Sequence, residues 1–535
     1  MDDLVLVAGG GAMGAGIAFV TAQAGYRVEV VEPDAASRDR ARDRMQRAAE
    51  RGGDAAIAQR VTFLEAMPER SDAVVAIEAV PERFDCKRDV FVALSSAISA
   101  NALLATNTSS LSVSDLADVV AQPQRVLGLH FFNPPEAMKL VEVVYTAETS
   151  DDTLDRAYEF VERIGKTAVT AADTPGFIVN RVARPYYLQA MRALEREIAS
   201  ADELDALARS AGFRMGPFEL MDFIGLDVNL ATSESVYARS GEARFAPPAM
   251  QREMVAAGRL GRKSGEGFYD YRDGVPPRIE VSIGEDGGET NADESVVVLG
   301  FGSLADEVAE RVEQRFAHAA RIENDELLDE ISLGATIVFD TGDGSSDRSD
   351  VLAQLDSVLG SEAIIFADAY ATDIDAAAKR MRHPERLIGY GVLGSLSTQR
   401  AVEIVDSEQA SDDALGLAEE FFASLGKGVV LVENVPALFL GRIVGSIVNE
   451  AVTVVNDEIA TPDDVDVAMR LGTNYPIGPF AWGREIGAKR IARILQRLAR
   501  AEGDEFAPHR SLWVLDLDEE PAMQAAEAEA DAARS

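Results

Sequence analysis

The chain has 535 residues, 47% of them hydrophobic, enough for three or four domains at about 150 residues each. Its 91 acidic and 51 basic residues leave a formal net charge of −40, which argues against nucleic acid or an anionic membrane as partner, since both require a basic face. The single cysteine, Cys86, excludes an intrachain disulfide and a cysteine metal cluster, and an acidic start without any apolar run of about 18 residues reads as a soluble cytoplasmic protein.

The opening "LVLVAGGGAMGAGIAFVTAQAGYRVEVVEPD" reads as a strand, a Gly-rich turn, an amphipathic helix and a second strand that ends in Glu32. Gly9, Gly11 and Gly14 take the G-x-G-x-x-G positions and an acid follows about 20 residues on, the order of a dinucleotide-binding βαβ unit. Glycines let the backbone approach a pyrophosphate, the helix N-terminus supplies free N–H groups, and Glu32 can accept from ribose hydroxyls while repelling a 2′-phosphate. The expected cofactor is NAD, with Gly9, Gly11, Met13, Gly14 and Glu32 as its contacts.

Next in the chain, Arg40, Arg44, Arg47 and Arg51 fall on one helical face, interleaved with Asp39 and Asp43. Further strands are expected at 72–80, 102–107, 126–132 and 139–145, with helices between them, which predicts a mostly parallel, two-sided sheet. After "AADTPGF" the periodicity turns helical. The expected organisation is a Rossmann-type α/β domain over 1–173, an all-helical domain over 174–273 and an acidic linker over 274–294.

The chain then repeats itself. "RVLGLH" at 125–130 aligns with "RLIGYG" at 386–391, "VERIGKTAV" with "FASLGKGVV", and "TPGFIVNR" with "VPALFLGR", all at one offset of 261 residues. A second Rossmann-like domain is expected over 295–433, a second helical domain over 434–500, and an acidic tail without apolar periodicity over 501–535. The surface is acidic and short of lysine, with 7 Lys against 44 Arg. It resembles the surfaces of proteins from salt-loving microbes, where about 1 M salt shrinks the Debye length to about 3 Å.

Of the four histidines, His130 ends a predicted strand beside "FFNPP", with Glu142 on the next strand. Ligands of open α/β sheets bind beyond the strand ends, and an imidazole steadied by a carboxylate can take an alcohol's proton as hydride leaves. His318, His383 and His509 lie in charged segments and read as surface residues.

The stretches "GGGAMGAGIA", "EAVPERFDCK", "ATNTSSLSV", "GLHFFNPPEAMKLVEVV", "DTPGFIVNR" and "GRKSGEGFYDY" resemble, in order and spacing, the L-3-hydroxyacyl-CoA dehydrogenase family, and "VNEAVTVVNDEIATPDDVDVAMRLGTNYPIGPFAW" resembles the C-terminal helical domain of its two-unit members. The resemblance implies NAD-linked oxidation of an L-3-hydroxyacyl-CoA to the 3-ketoacyl-CoA, or the reverse. It makes His130 the general base and Glu142 its partner, sets Ser109 and Asn180 on the substrate's oxygens, and lays Glu82, Lys87 and Asn107 along the nicotinamide half of the cofactor. It also turns the Arg40 and Arg44 face toward the coenzyme's phosphates. In the second copy Ser109, Asn107, His130 and Asn180 align with Tyr370, Asp368, Gly391 and Gly441, and only Glu142 keeps its type, as Glu403. One active site per chain is therefore expected, with a homo-oligomer, or the two helical domains paired as an internal pseudo-dimer, as the assembly. Two other readings remain open from the residues: a dehydrogenase of a free hydroxy or sugar acid, and a non-catalytic NAD- or CoA-binding derivative.

Overall fold

A computed structural model describes residues 3–52, 54, 56–281, 294–323, 334–342 and 347–516. The chain forms two compact units. The first takes the residues up to Val182 with Ala238–Ser240 and Val454–Asn474; the second takes Ala183–Tyr237, Gly241–Thr453 and the chain from Tyr475 on.

The first unit is built on an eight-stranded sheet in the order β3-β2-β1-β4-β5-β6-β7-β8. Its strands are β1 (Leu4–Ala8), β2 (Arg27–Val31), β3 (Val61–Leu64), β4 (Ala73–Glu78), β5 (Leu103–Thr106), β6 (Val126–Phe131), β7 (Leu140–Tyr145) and β8 (Thr167–Ala172). The central strands are buried on both faces, which is why they read as unbroken apolar runs. Two strands lack that run and were not expected. β3 and β8 close the two edges, where alternate residues meet solvent.

All pairs are parallel except β6 with β7, which run antiparallel with His130 directly opposite Glu142. Residues 132–139 are too few for a parallel crossover, which needs a dozen or more. The chain has to turn straight back, and that reversal brings the two side chains together.

The second unit contains a sheet of the same order without a counterpart of β3, seven strands among the described residues. It comprises β9 (Ser295–Gly300), β10 (His318–Ile322), β11 (Ile337–Gly342), β12 (Ile364–Asp368), β13 (Leu387–Gly391), β14 (Ala401–Asp406) and β15 (Gly428–Glu433), ordered β10-β9-β11-β12-β13-β14-β15. Helices of both copies meet in this unit. The Phe213 ring lies 5.0 Å from Tyr475 and 5.4 Å from Trp482, and Tyr186 lies 5.9 Å from Tyr475.

The compact units thus do not follow the repeat. A helical segment of the second copy belongs with the first sheet, and helices of the first copy belong with the second. Most of the linker expected at 274–294 lies outside the described residues. The tail departs from expectation over its first part. Residues 501–516 fold back through two short 3-10 turns, burying Phe506, Leu512 and Leu515, three apolar anchors too widely spaced to register as periodicity. The rest of the tail lies outside the described residues.

Candidate active site

The three turn glycines are required for three different reasons. Gly9 has φ +108°, where an added Cβ would lie 2.6 Å from the Ala79 carbonyl oxygen. At Gly14 a Cβ would meet the Gly9 oxygen at 1.9 Å, so this glycine lets helix α1 (Ala12–Gln23) press against the strand. A Cβ on Gly11 would meet nothing within 4 Å. That open space lies at the N-cap of α1, which no side chain caps. Unspent N–H groups and room for a ligand backbone are the two needs of a pyrophosphate, and the residues present fit NAD. Glu32 accepts from the N–H of Gly10 at 2.9 Å, which ties the end of β2 to the turn. Met13 packs half-buried on the core beneath.

The second cluster lies at the ends of β6 and β7. His130 is 6% exposed and its Nδ1 sits 2.5 Å from Oε2 of Glu142, which is fully buried. The other oxygen, Oε1, accepts from the N–H groups of Ile178 and Val179 at 3.1 and 2.9 Å. Both oxygens are thereby committed, and the carboxylate has one orientation. The Phe132 and Phe177 rings flank the imidazole at 4.6 and 5.7 Å. Phe177 holds a left-handed φ of 48°, an unfavourable conformation for a bulky residue that here directs its ring onto His130. Asn180 is half-buried on the same turn, one residue beyond Val179.

Asn107 joins this cluster to the neighbouring loop, its Oδ1 accepting from Phe131 N–H at 2.8 Å. The loop hangs on Glu82, whose Oε1 accepts from the N–H groups of Ser109 and Ser110, both at 3.0 Å, and from the hydroxyl of Ser110 at 2.9 Å. Burial pushes the Glu82 carboxyl up, but Lys87 and the Thr108 and Ser110 hydroxyls outweigh it and leave it below the usual range. The short helix Val113–Ala117 is capped by the hydroxyl of Ser112, so neither Asn107 nor Ser109 is needed for capping.

Lys87 differs from expectation. It is 1% exposed and spent on Glu78, at 2.9 and 3.1 Å, and on Glu82 at 3.1 Å, so it supports the loop from beneath instead of lying open along a cofactor. Glu78 escaped the sequence reading altogether. Its signal was an acid inside the apolar run "AVVAIEAV", which burial tolerates only with a cation and donors supplied. Thr106 and Val80 N–H complete its shell. Lys166 was also missed; it binds the carbonyls of Pro135 and Met138, fixing the loop after His130.

The arginine face on α2 (Ala35–Gly52) is partly neutralised. Arg40 is exposed, binds the Ser37 hydroxyl and lies 3.9 Å from Asp34, and Arg44 lies 3.5 Å from Glu136. The side chain of Arg51 lies outside those described. Among the described residues, no three His, Cys, Asp or Glu side chains gather as a metal site, and no helix is long and apolar enough to cross a membrane.

In the second copy Glu403 accepts from Phe439 and Leu440 N–H, as Glu142 does from Ile178 and Val179, but its other oxygen takes the hydroxyl of Tyr370. The Tyr370 ring closes the space at Gly441, and Leu438 that at Gly391. A Cβ on Gly441 would lie 2.7 Å from that ring, and one on Gly391 would strike Leu438 at 2.7 Å and Glu403 at 3.1 Å. Arg490, Arg493 and Arg497 of the helix Ala488–Glu502 bind the backbone carbonyls of Val392, Ala371 and Ala369, and Arg490 also pairs with Asp368 at 2.8 Å. These side chains cover the ends of β12 and β13, while a cavity of about 380 Å³ stays open at the ends of β9 and β11, beside Gly302, Ser303 and Gly342.

Residues 4–174 and 295–435 match the 3-hydroxyacyl-CoA dehydrogenase NAD binding domain, and residues 176–271 and 439–530 match the C-terminal domain of the same family. The chain is 35% identical over 512 residues to 3-hydroxyadipyl-CoA dehydrogenase of Escherichia coli K12, covering 94% of each. It is 37% identical over 279 residues to a probable 3-hydroxybutyryl-CoA dehydrogenase of Bacillus subtilis, covering 50% of this chain and 97% of that one. A crystal structure of 3-hydroxybutyryl-CoA dehydrogenase from E. coli K12 superposes with a TM-score of 0.76 at 31% identity, covering 99% of both chains. With both copies of both domains matched, and with a relative and a solved structure similar along nearly the whole length, the chain belongs to the 3-hydroxyacyl-CoA dehydrogenase family.

Proposed function

We propose that the first copy alone carries the active site of this NAD-dependent dehydrogenase, and that it oxidises an L-3-hydroxyacyl-CoA to the 3-ketoacyl-CoA, or runs the reverse, with His130 as general base. The observation that carries the reading is the buried His130–Glu142 pair, with Glu142 pinned by two backbone N–H groups. Glu142 accepts a hydrogen bond from Nδ1–H, which fixes the tautomer that leaves the lone pair on Nε2. Nε2 then removes the alcohol proton while the hydride leaves C3, and Glu142 stabilises the imidazolium that forms. Bound NAD supplies the hydride acceptor. The Ser109 hydroxyl and the Asn180 amide donate to the C3 oxygen and the thioester carbonyl, polarising both. Glu82 and Lys87 set the Ser109 loop, Gly9, Gly11 and Gly14 with Glu32 hold the dinucleotide, and Arg40 and Arg44 face the coenzyme's phosphates.

The assignment of one site per chain is supported by Tyr370, Gly391 and Gly441 standing where the first copy has Ser109, His130 and Asn180. The meeting of Tyr186 and Phe213 with Tyr475 and Trp482 supports an internal pseudo-dimer of the helical parts. A net charge of −40 with 7 lysines supports a cytoplasm of high salt.

The test is NADH consumption with acetoacetyl-CoA and a series of longer and ω-carboxylated 3-ketoacyl-CoA esters. Turnover is expected to need the thioester and to vanish in His130→Ala while NADH still binds. Equal turnover of a free hydroxy acid, or normal turnover of His130→Ala, overturns the reading.

A further inference from the structure

The segment Asp457–Gly472, supplied by the degenerate copy, belongs to the compact unit of the first sheet and packs on β7, on β8 and on the helical turn Val179–Val182. Four contacts fix it. Ile459 gives its carbonyl to the N–H of Ala172 at 2.9 Å, on the outer edge of β8. The Asp464 carboxyl lies near enough to the Thr170 backbone for that N–H to favour its charged form. Asp457 Oδ2 sits 3.0 Å from Nη2 of the buried Arg181. Gly472 comes so close that a Cβ there would lie 2.9 Å from Leu140 and 3.0 Å from Val179. Leu140 opens the strand that carries Glu142, and the N–H of Val179 is one of the two donors that aim Glu142.

We propose that this segment is a positioning element for the catalytic pair. Asp457 and Gly472 act as positioning residues, holding Arg181, Val179 and Leu140 so that Glu142 stays directed at His130. The degenerate copy then contributes to turnover without contributing a catalytic residue. The inference rests on the roles given above to His130 and Glu142.

The repeat supplies its own control. The backbone contact is duplicated, since Glu433 N–H binds the Ile198 carbonyl at 2.9 Å just as Ala172 binds Ile459. Covering a sheet edge is therefore common to both copies. The side chains are not duplicated. The counterpart of Asp457 is Arg196, and Arg442, the counterpart of Arg181, is held by Glu502 at 2.5 and 2.8 Å. Leu140 with Gly472 corresponds to Ala401 with Ala211, so bulk has moved from the helix to the strand only behind the surviving active site. Among the described residues the Arg181–Asp457 ion pair has no counterpart at Arg442 and Arg196.

The test is kcat per NADH-titrated site in the full-length protein. Asp457→Ala and Gly472→Ala are each expected to lower it by about 10-fold, with NADH affinity unchanged, because a small misplacement of a catalytic group costs turnover and not cofactor binding. Asp457→Glu should recover most of the loss. Leu140→Ala combined with Gly472→Ala, which copies the pair of the other half, should return kcat to within about threefold of the starting protein, a coupling expected only of residues in contact. Unchanged kcat in both single variants overturns the inference, as does a loss in which titratable sites fall in proportion and kcat per site is intact. His130→Ala separates the two claims. If it is inactive beside fully active Asp457→Ala and Gly472→Ala, the positioning role alone fails. If it keeps turnover, the assignment of the base fails and the inference with it.

Discussion

Tyr370 donates its hydroxyl to Glu403 at the position where, in the first copy, His130 meets Glu142. The second copy keeps the buried carboxylate and its two backbone donors without a histidine, and a tyrosine hydroxyl completes the set of partners that an acid sealed in a sheet needs. Tyr370→Phe is therefore expected to destabilise the protein by about 1–3 kcal/mol, the cost of a buried acceptor left unpaired, with kcat per folded molecule unchanged. Urea unfolding beside steady-state assays checks both halves. Reverting Gly441 to Asn should be more damaging than the Phe change, since its Cβ would meet the Tyr370 ring.

The same carboxylate gives stability a pH dependence. Burial raises Glu403 from its usual value to about 7, against the Tyr370 hydroxyl and the Phe439 and Leu440 N–H groups, which lower it. The folded state thus binds a proton that the unfolded chain has lost, between the ordinary carboxyl value and about 7. Stability from this group is present below that window and falls as pH rises through it. Glu403→Gln mimics the protonated form. It should raise stability at pH 8 by up to roughly 3 kcal/mol and change little near pH 5, read as urea midpoints at the two pH values.

Glu142→Gln tests the catalytic pair by tautomer. The two backbone donors require the amide oxygen, so the amide NH2 faces Nδ1 of His130. The imidazole must then accept at Nδ1 and carry its proton on Nε2, where no alcohol proton can be taken up. A fall in kcat of about 100-fold or more is expected, with NADH affinity held, measured by steady-state kinetics and fluorescence titration.

Two glycines of one motif should fail differently. Gly14→Ala drives a methyl into the Gly9 carbonyl oxygen and should lower the melting temperature or prevent folding. Gly11→Ala has φ −66° and open space, so stability should hold while NADH binding weakens by about 10-fold or more, as the methyl enters the room left for the pyrophosphate. Differential scanning fluorimetry with and without NADH distinguishes the two.

Glu78→Gln should cost about 3–5 kcal/mol, since it removes the closest partner of a buried lysine. Glu82→Gln is expected to be milder in stability and to raise the KM of the acyl-CoA, because the Ser109 loop loses its charged anchor. Thermal melts and KM values on the same preparations compare them.

The sequence alone established what depends on local rules. Gly9, Gly11 and Gly14 with Glu32 identify a dinucleotide turn because the backbone itself needs those residues at that spacing. His130 and Glu142 were legible because a short connection between two apolar strands brings their ends together, and the repeat was legible because a constant offset survives substitution. The edge strands β3 and β8, the role of Glu78, and the burial of Lys87 were not, since each is decided by what lies across the sheet and not by its neighbours in the chain. Nor is it legible in the repeat that the Tyr370 hydroxyl takes the carboxylate partner that His130 has; the offset pairs Tyr370 with Ser109 and His130 with Gly391, and only the fold brings that hydroxyl to Glu403 and Leu438 against Gly391. The exchange of segments between the copies, with Asp457 reaching Arg181 over more than half the chain, was likewise decided by packing. Apolar faces and sheet edges take whatever partner the three-dimensional arrangement brings to them, and the order of residues carries no record of which copy supplies it.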